Sequence, residues 1–183
     1  DFGKEAVFEK DWHARALAVT VASGFLGQWN LDESRHSREK LSPTDYSKFS
    51  YYEKWISALS DILVAKGLIS VEELQSLHGA RALDSLSDRV FTAEKVADGL
   101  SKGGPTLRDS AVVQLFRIGD SVKSKLAENR FLSGGHTRLP KYAAQKAGKI
   151  VGFHGSHIFP DAHAHGGGEA PEPLYTVAFE AST

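Results

Sequence analysis

Three clusters of polar residues have the types and spacing to do chemistry. Asp161-Ala162-His163-Ala164-His165 alternates polar and small residues, with His154 and His157 just upstream. On a strand, Asp161, His163 and His165 would point to one side, and a carboxylate with two imidazoles can hold zinc or another divalent ion. The surrounding glycines and prolines favour a plainer reading, in which these side chains hydrogen-bond the backbone of turns. The second cluster is Asp32-Glu33-Ser34-Arg35-His36-Ser37-Arg38-Glu39. Taken alone it is a solvated, charged helix face, on which Arg35 and Glu39, four apart, would brace each other. The third, Gly134-Gly135-His136-Thr137-Arg138-Leu139-Pro140, sets one cation in a stiff extended segment ahead of a proline. A guanidinium held there is suited to gripping a planar oxyanion through two parallel hydrogen bonds. Neither of these last two clusters is specific by itself.

Composition limits what such groups can serve. The 183 residues suffice for one domain or two small ones. With 22 basic and 23 acidic residues the formal charge is −1, which gives no electrostatic reason to expect nucleic acid or an anionic membrane as partner. No apolar run approaches the roughly 20 residues of a membrane span. Asp1–Lys10 has neither the basic nor the apolar region of a signal peptide, so the sequence reads as cytoplasmic. Cysteine is absent; a disulfide scaffold, a thiolate nucleophile and a thiolate metal site within this chain are thereby excluded.

The elements that must position these groups change character along the chain. Phe8, Trp12, Ala16, Val19 and Thr20 recur at helical spacing up to Gly24, which suits a helix end. Ser42-Pro43-Thr44-Asp45 starts a helix, and Phe49, Tyr52, Ile56, Leu59 and Leu63 continue it as an apolar stripe to Gly67. Ser70-Val71-Glu72-Glu73 caps a short helix from Val71 to about Leu77, and Thr92 one more from Ala93 to Leu100. Ser101-Lys102-Gly103-Gly104-Pro105 then reads as a linker. Beyond it the helical period is lost. Phe116–Val122 reads as a strand entering and leaving a turn, and Lys149–Phe153 and Leu174–Phe179 as further strands between Gly- and Pro-rich turns. Short strands over about 70 residues suggest a small barrel.

Set in order, the motifs become specific. Gly135-His136-Thr137-Arg138-Leu139-Pro140-Lys141-Tyr142, Gly148-Lys149-Ile150, His154-Gly155-Ser156-His157-Ile158-Phe159-Pro160-Asp161 and Pro173-Leu174-Tyr175-Thr176-Val177 closely resemble the β subunit of nitrile hydratase. Upstream, Trp12 with Arg15-Ala16, Trp29-Asn30-Leu31-Asp32, Arg35-His36 with Glu39, and Ser50-Tyr51-Tyr52-Glu53 with Trp55 match its helical half. The resemblance covers nearly the whole chain. It implies an α+β fold, with a helical, partner-embracing half at 1–107 and a small SH3-like β-barrel at 108–183.

The resemblance also implies a division of labour. A nitrile is hydrated to an amide at a non-corrin cobalt(III) or non-haem iron(III) centre held by the cysteines of a partner α subunit, in a heterodimer or heterotetramer. Two of those thiolates are oxidised to sulfenate and sulfinate. Arg35 and Arg138 stand at the positions whose guanidiniums hold the oxidised sulfurs, and Glu39 and His136 at positions that support them. Leu31, Ser34, Tyr51 and Trp55 match positions lining the nitrile pocket, with the Tyr51 hydroxyl a donor near the active site. This chain itself would bind no metal. Two departures stand out: Lys54 replaces a frequent histidine, and Ser34 a frequent aromatic residue, which widens the pocket. The ends at Asp1 and Thr183 suggest a trimmed chain, part of a longer fusion, or a divergent branch. The related thiocyanate hydrolase divides this region over two chains, and activator proteins of the system resemble the helical half alone; both halves occur in this sequence.

Overall fold

The computed structural model describes residues 7–76, 78–79, 84–110 and 112–180. The chain divides into two compact units, Asp1–Ser101 and Lys102–Thr183. Helices build the first and an antiparallel sheet the second, so the fold is α+β.

In the first unit, α1 spans Asp11–Phe25, starting after Phe8 and passing through Gly24. The reversal comes at Gly27, whose φ of +67° is a conformation glycine adopts without strain. Helix α2, Leu31–Glu39, has an almost wholly polar sequence and therefore depends on its cap. Asn30 Oδ1 accepts from the N–H groups of Asp32 and Glu33, each at 2.9 Å. Glu33 in return accepts the Asn30 N–H, also at 2.9 Å, which completes a capping box.

The continuous helix expected from Ser42 to Leu63 is two helices, α3 at Pro43–Lys48 and α4 at Tyr51–Ala65. Phe49 between them is extended (φ −70°, ψ 136°). A second start signal interrupts the stripe there: the Glu53 carboxylate takes the Ser50 N–H at 2.7 Å and begins a new helix. Helix α4 is the centre of this unit, packed by both α1 and α2. Ala16 of α1 and Ala58, Leu59 and Ile62 of α4 are buried; the alanines let the helix backbones approach closely. The unit continues with α5, Val71–Ser76, a 3₁₀ turn at Asp84–Arg89 and α6, Ala93–Lys102; Leu77, the expected end of α5, lies outside the described residues. Phe91 stacks flat on Phe25, 3.7 Å between centroids. Among the described residues no helix is long and apolar enough to cross a membrane.

In the second unit β3, Ala147–His157, is the hub. On one edge it pairs with β1 (Leu107–Arg108) and β2 (Ser121–Lys123), on the other with β4 (Glu172–Ala178), always antiparallel. The register slips between Ile150 and Gly152 and again between Phe153 and Ser156; such bulges bend a strand and raise its twist. The expected closed barrel is not what these pairings form, because the described strands make an open sheet. The physical reason lies just ahead of the turn, at 112–118, which includes 116–118, the incoming part of the strand and turn read at Phe116–Val122. The stretch has no ladder, and the Tyr175 hydroxyl accepts the N–H groups of Leu115 (2.8 Å) and Phe116 (3.3 Å) where a strand partner would otherwise be.

Candidate functional site

In the helical unit, α2 and α4 present the candidate side chains. Arg35 Nη1 donates to Asp32 Oδ1 at 2.9 Å. Asp32 is buried, so the guanidinium is held at its base while a third of the Arg35 side chain stays exposed (33%). One turn on, His36 Nδ1 lies 3.5 Å from Glu39 Oε2. These contacts follow from i, i+3 spacing on one helix face. Across the helix pair, Tyr51 and Trp55 sit one turn apart on α4 with ring centroids 5.4 Å apart. The Arg38 guanidinium lies over the Trp55 ring, 4.9 Å from its centroid. Lys66, at the C-cap of α4, reaches Glu33 at 2.5 Å and ties the end of α4 to the start of α2. Tyr51 and Leu31 are both well exposed.

In the sheet unit the segment carrying Arg138 is anchored from below. His136 is fully buried, and its N–H donates to His165 Nε2 at 2.9 Å; the neutral His165 ring therefore carries its proton on Nδ1. The Asn129 amide is spent four ways. Its Nδ2 donates to the carbonyls of His136 (2.7 Å) and Asp161 (2.9 Å), and its Oδ1 accepts the N–H groups of Phe131 (2.8 Å) and Leu132 (2.9 Å). Asp161, also buried, accepts the Arg130 N–H at 3.3 Å. Burial pushes its carboxyl above the usual carboxylate range, against hydrogen bonds from Arg130 and Thr137 that pull the other way. Two residues past buried His136, Arg138 is exposed, and its guanidinium has no hydrogen bond or ion pair with any other described residue.

Against this geometry the relatives are decisive. A family model described as nitrile hydratase beta subunit, N-terminal, matches residues 2–100, and its C-terminal counterpart matches residues 105–183. The chain belongs to the nitrile hydratase β-subunit family. It is 35% identical to "Nitrile hydratase subunit beta" of Pseudomonas putida, over 96% of this chain and 77% of that one. It is 32% identical to "Low-molecular weight cobalt-containing nitrile hydratase subunit beta" of Rhodococcus rhodochrous, over 97% and 80%. "Cobalt-containing nitrile hydratase subunit beta" of Pseudonocardia thermophila is 33% identical over 97% and 77%.

Within this nitrile hydratase β-subunit chain, the residues singled out in sequence fall into two groups. Leu31, Ser34, Arg35 and Glu39 lie on α2 and Tyr51 and Trp55 on α4, which pack together; His136 and Arg138 lie on the anchored segment of the sheet unit. Lys54, the departure from the family's frequent histidine, turns to α3 and lies over the Tyr46 ring at 4.3 Å. The C-terminal histidines take separate roles. His154 Nε2 meets Thr176 Oγ1 at 2.7 Å, His157 Nδ1 meets Thr106 Oγ1 at 2.9 Å, and His165 holds His136. Asp161 and His163 sit in the short helix α7, Pro160–His163, where the alternation of a strand does not apply. Asn129 escaped the sequence reading, and Arg38 stood in the second cluster without a role of its own. Asn129 had no visible signal, since its four partners are backbone groups. Arg38 had one, being seven residues from Leu31 and so on the same helical face.

Proposed function

We propose that this chain is the metal-free subunit of a nitrile hydratase, which completes from outside a centre that a partner α subunit holds, and so hydrates nitriles to amides. Residues 1–107 then supply the pocket wall and the embrace of the partner, and 108–183 the sheet unit that carries Arg138. The observation that carries the reading is Arg138: an exposed guanidinium, unspent within the described chain, on a segment fixed by buried His136 and by Pro140. A cation so placed is built to meet an anion that this chain does not contain.

The donor set fits the group that the family implies. Oxidised cysteine sulfurs present acceptor-only oxygens, which in a buried interface need charged donors. Arg138 offers all five N–H groups. Arg35 spends one on Asp32 and keeps the others. This chain has no thiol with which to ligate such a metal itself. The names of two relatives favour cobalt over iron. Bound in the partner, the trivalent metal supplies the Lewis acidity for hydration of the C≡N group. Arg35 and Arg138 keep the oxidised sulfurs oriented beside it, and Glu39 and His136 steady those arginines. Leu31, Tyr51 and Trp55 exclude bulk water and orient the nitrile, and the small Ser34 leaves room for its substituent.

The test uses the enzyme assembled with its α partner. Arg35→Lys and Arg138→Lys should each leave the circular dichroism spectrum intact yet lower kcat/KM by about 10- to 100-fold, because Lys keeps the charge and loses the fork. Full activity in both variants would remove the assignment.

A further inference from the structure

Arg38 is the unanswered cation of α2. Its neighbours are met in kind, Arg35 by Asp32 and His36 by Glu39. The Arg38 guanidinium has no hydrogen bond or ion pair with another described residue. It lies half-buried on the face of Trp55, 4.9 Å from the ring centroid. Burial lowers its pKa from the ordinary arginine value, helped by Arg35 and opposed by Tyr51, Glu39 and Tyr46. A guanidinium stays protonated even so. The result is a partly dehydrated charge whose N–H groups are unspent, held over an aromatic ring.

A plain clamp between α2 and α4 would account for the stack but not for the missing partner. Glu39 acts on the Arg38 charge from the next position of the helix but pairs with His36, which leaves the N–H groups of Arg38 open. The helix also gives the charge a direction. Leu31, Ser34, Arg35 and Arg38 stand at i, i+3, i+4 and i+7, one face of α2, on which Leu31 is an exposed apolar end and Arg38 a cationic one. Arg38 is about 4.5 Å along the axis from Arg35 and about 10 Å from Leu31. That span matches a short aliphatic chain with a nitrile at one end and an anion at the other.

We propose that Arg38, stacked on Trp55, binds the carboxylate of a cyano-acid substrate and directs this enzyme toward anionic nitriles. The inference rests on the reading that Tyr51 and Trp55 line the nitrile pocket, and it adds a substrate class to it. Recognition is a two-pronged, charge-assisted contact whose geometry the indole fixes before the substrate arrives.

The experiment uses the assembled enzyme with 5-cyanopentanoate and its methyl ester, which differ only in charge at the far end. The wild type should prefer the acid. Arg38→Met, which keeps the bulk on Trp55, should lower the acid-to-ester ratio of kcat/KM about tenfold, the worth of one charge-assisted contact. Arg38→Lys should fall between, and added salt should erode the preference of the wild type alone. Hexanoate, which has no nitrile, should compete with substrate in the wild type and lose that competition in Arg38→Met. An unchanged ratio in Arg38→Met, or equal losses for both substrates, overturns the proposal and leaves Arg38 a packing residue. Tyr51→Phe and Trp55→Leu separate the two failures. If they alter ester kinetics while Arg38→Met leaves the ratio alone, the pocket stands and only the anion site falls. If they alter neither substrate, the pocket reading fails and the anion site with it.

Discussion

The Arg138 segment depends on one residue having no side chain at all. A Cβ on Gly135 would lie 2.9 Å from Asn129 Cγ and 2.9 Å from His165 Nε2, closer than atoms in a packed interior tolerate. Both neighbours are committed, Asn129 to four backbone groups and His165 to the His136 N–H, so neither can yield cheaply. Gly135→Ala should therefore cost about 1–3 kcal/mol in denaturant unfolding, and should lower activity further by moving His136 and Arg138. Beneath it, Asp161 makes a pH-dependent contribution with a definite sign. Burial raises its pKa in the fold, so the ionised form is the disfavoured one. Its contribution is fully present below the unfolded value of about 3.9 and is lost as pH rises from there through the folded value. Asp161→Asn, which cannot ionise, should thus gain stability relative to wild type as pH climbs through that window; a difference between the two chains that stays flat with pH would rule out burial of this carboxyl as the cause. The glycine and the histidine of this motif were legible in the sequence. Asn129 was not, because a buried amide that organises a loop leaves no periodic trace.

Among the elements, α2 packs on α4 with almost no apolar residues of its own to hold it there. It buries Asp32 but no apolar residue fully, and its stability rests on the Asn30–Glu33 box and on the Lys66 tie from α4. Asn30→Ala should cost about 1 kcal/mol in thermal unfolding, and should weaken activity beyond that cost, because Leu31, Ser34 and Arg35 occupy the first turns it secures. Helix types and most starts were readable from caps and apolar spacing. The division at Phe49 was not, since an apolar stripe carries across a break when both helices turn the same face to the core. The strands were legible where β3 and β4 alternate and where β2 leaves the turn at Gly119-Asp120, while β1 was not read. The 112–118 stretch has strand-like residues, yet the Tyr175 hydroxyl occupies its backbone donors, a side-chain contact that period-two counting does not register.

For the molecule as a whole, the apolar surface is the telling quantity. In the sheet unit Val113, Leu115, Ile118, Phe131 and Tyr142 are each about 70–84% exposed, more than a small unit that works alone usually leaves to water. The chain without its α partner should bind a hydrophobic dye such as ANS, and adding the partner should suppress most of that fluorescence; equal dye binding in both states would mean that the exposed face is not the one covered. The sequence could name the partner's family through motif order, but it could not tell which apolar residues stay outside, since the same valines and leucines read equally well as core.

The shared strand β3 has a consequence in time. It meets β4 across a gap of 15 residues at the near end, His157 to Glu172, and β1 across one of 50, from Leu107 to His157. Closing the longer loop costs only about 1 kcal/mol more in chain entropy, but β1 offers two paired residues in return. The β3–β4 hairpin is accordingly the piece that can form early and persist, and β1 the piece that joins last and opens first. Opening there parts Arg108 from Ser156 and breaks its ion pair with Glu169, at 2.6 Å on a part-exposed surface where such a pair contributes little. The first edge of the sheet unit in sequence is thus also the first to fluctuate. It lies well upstream of Arg138, whose lock can stay shut while that edge breathes.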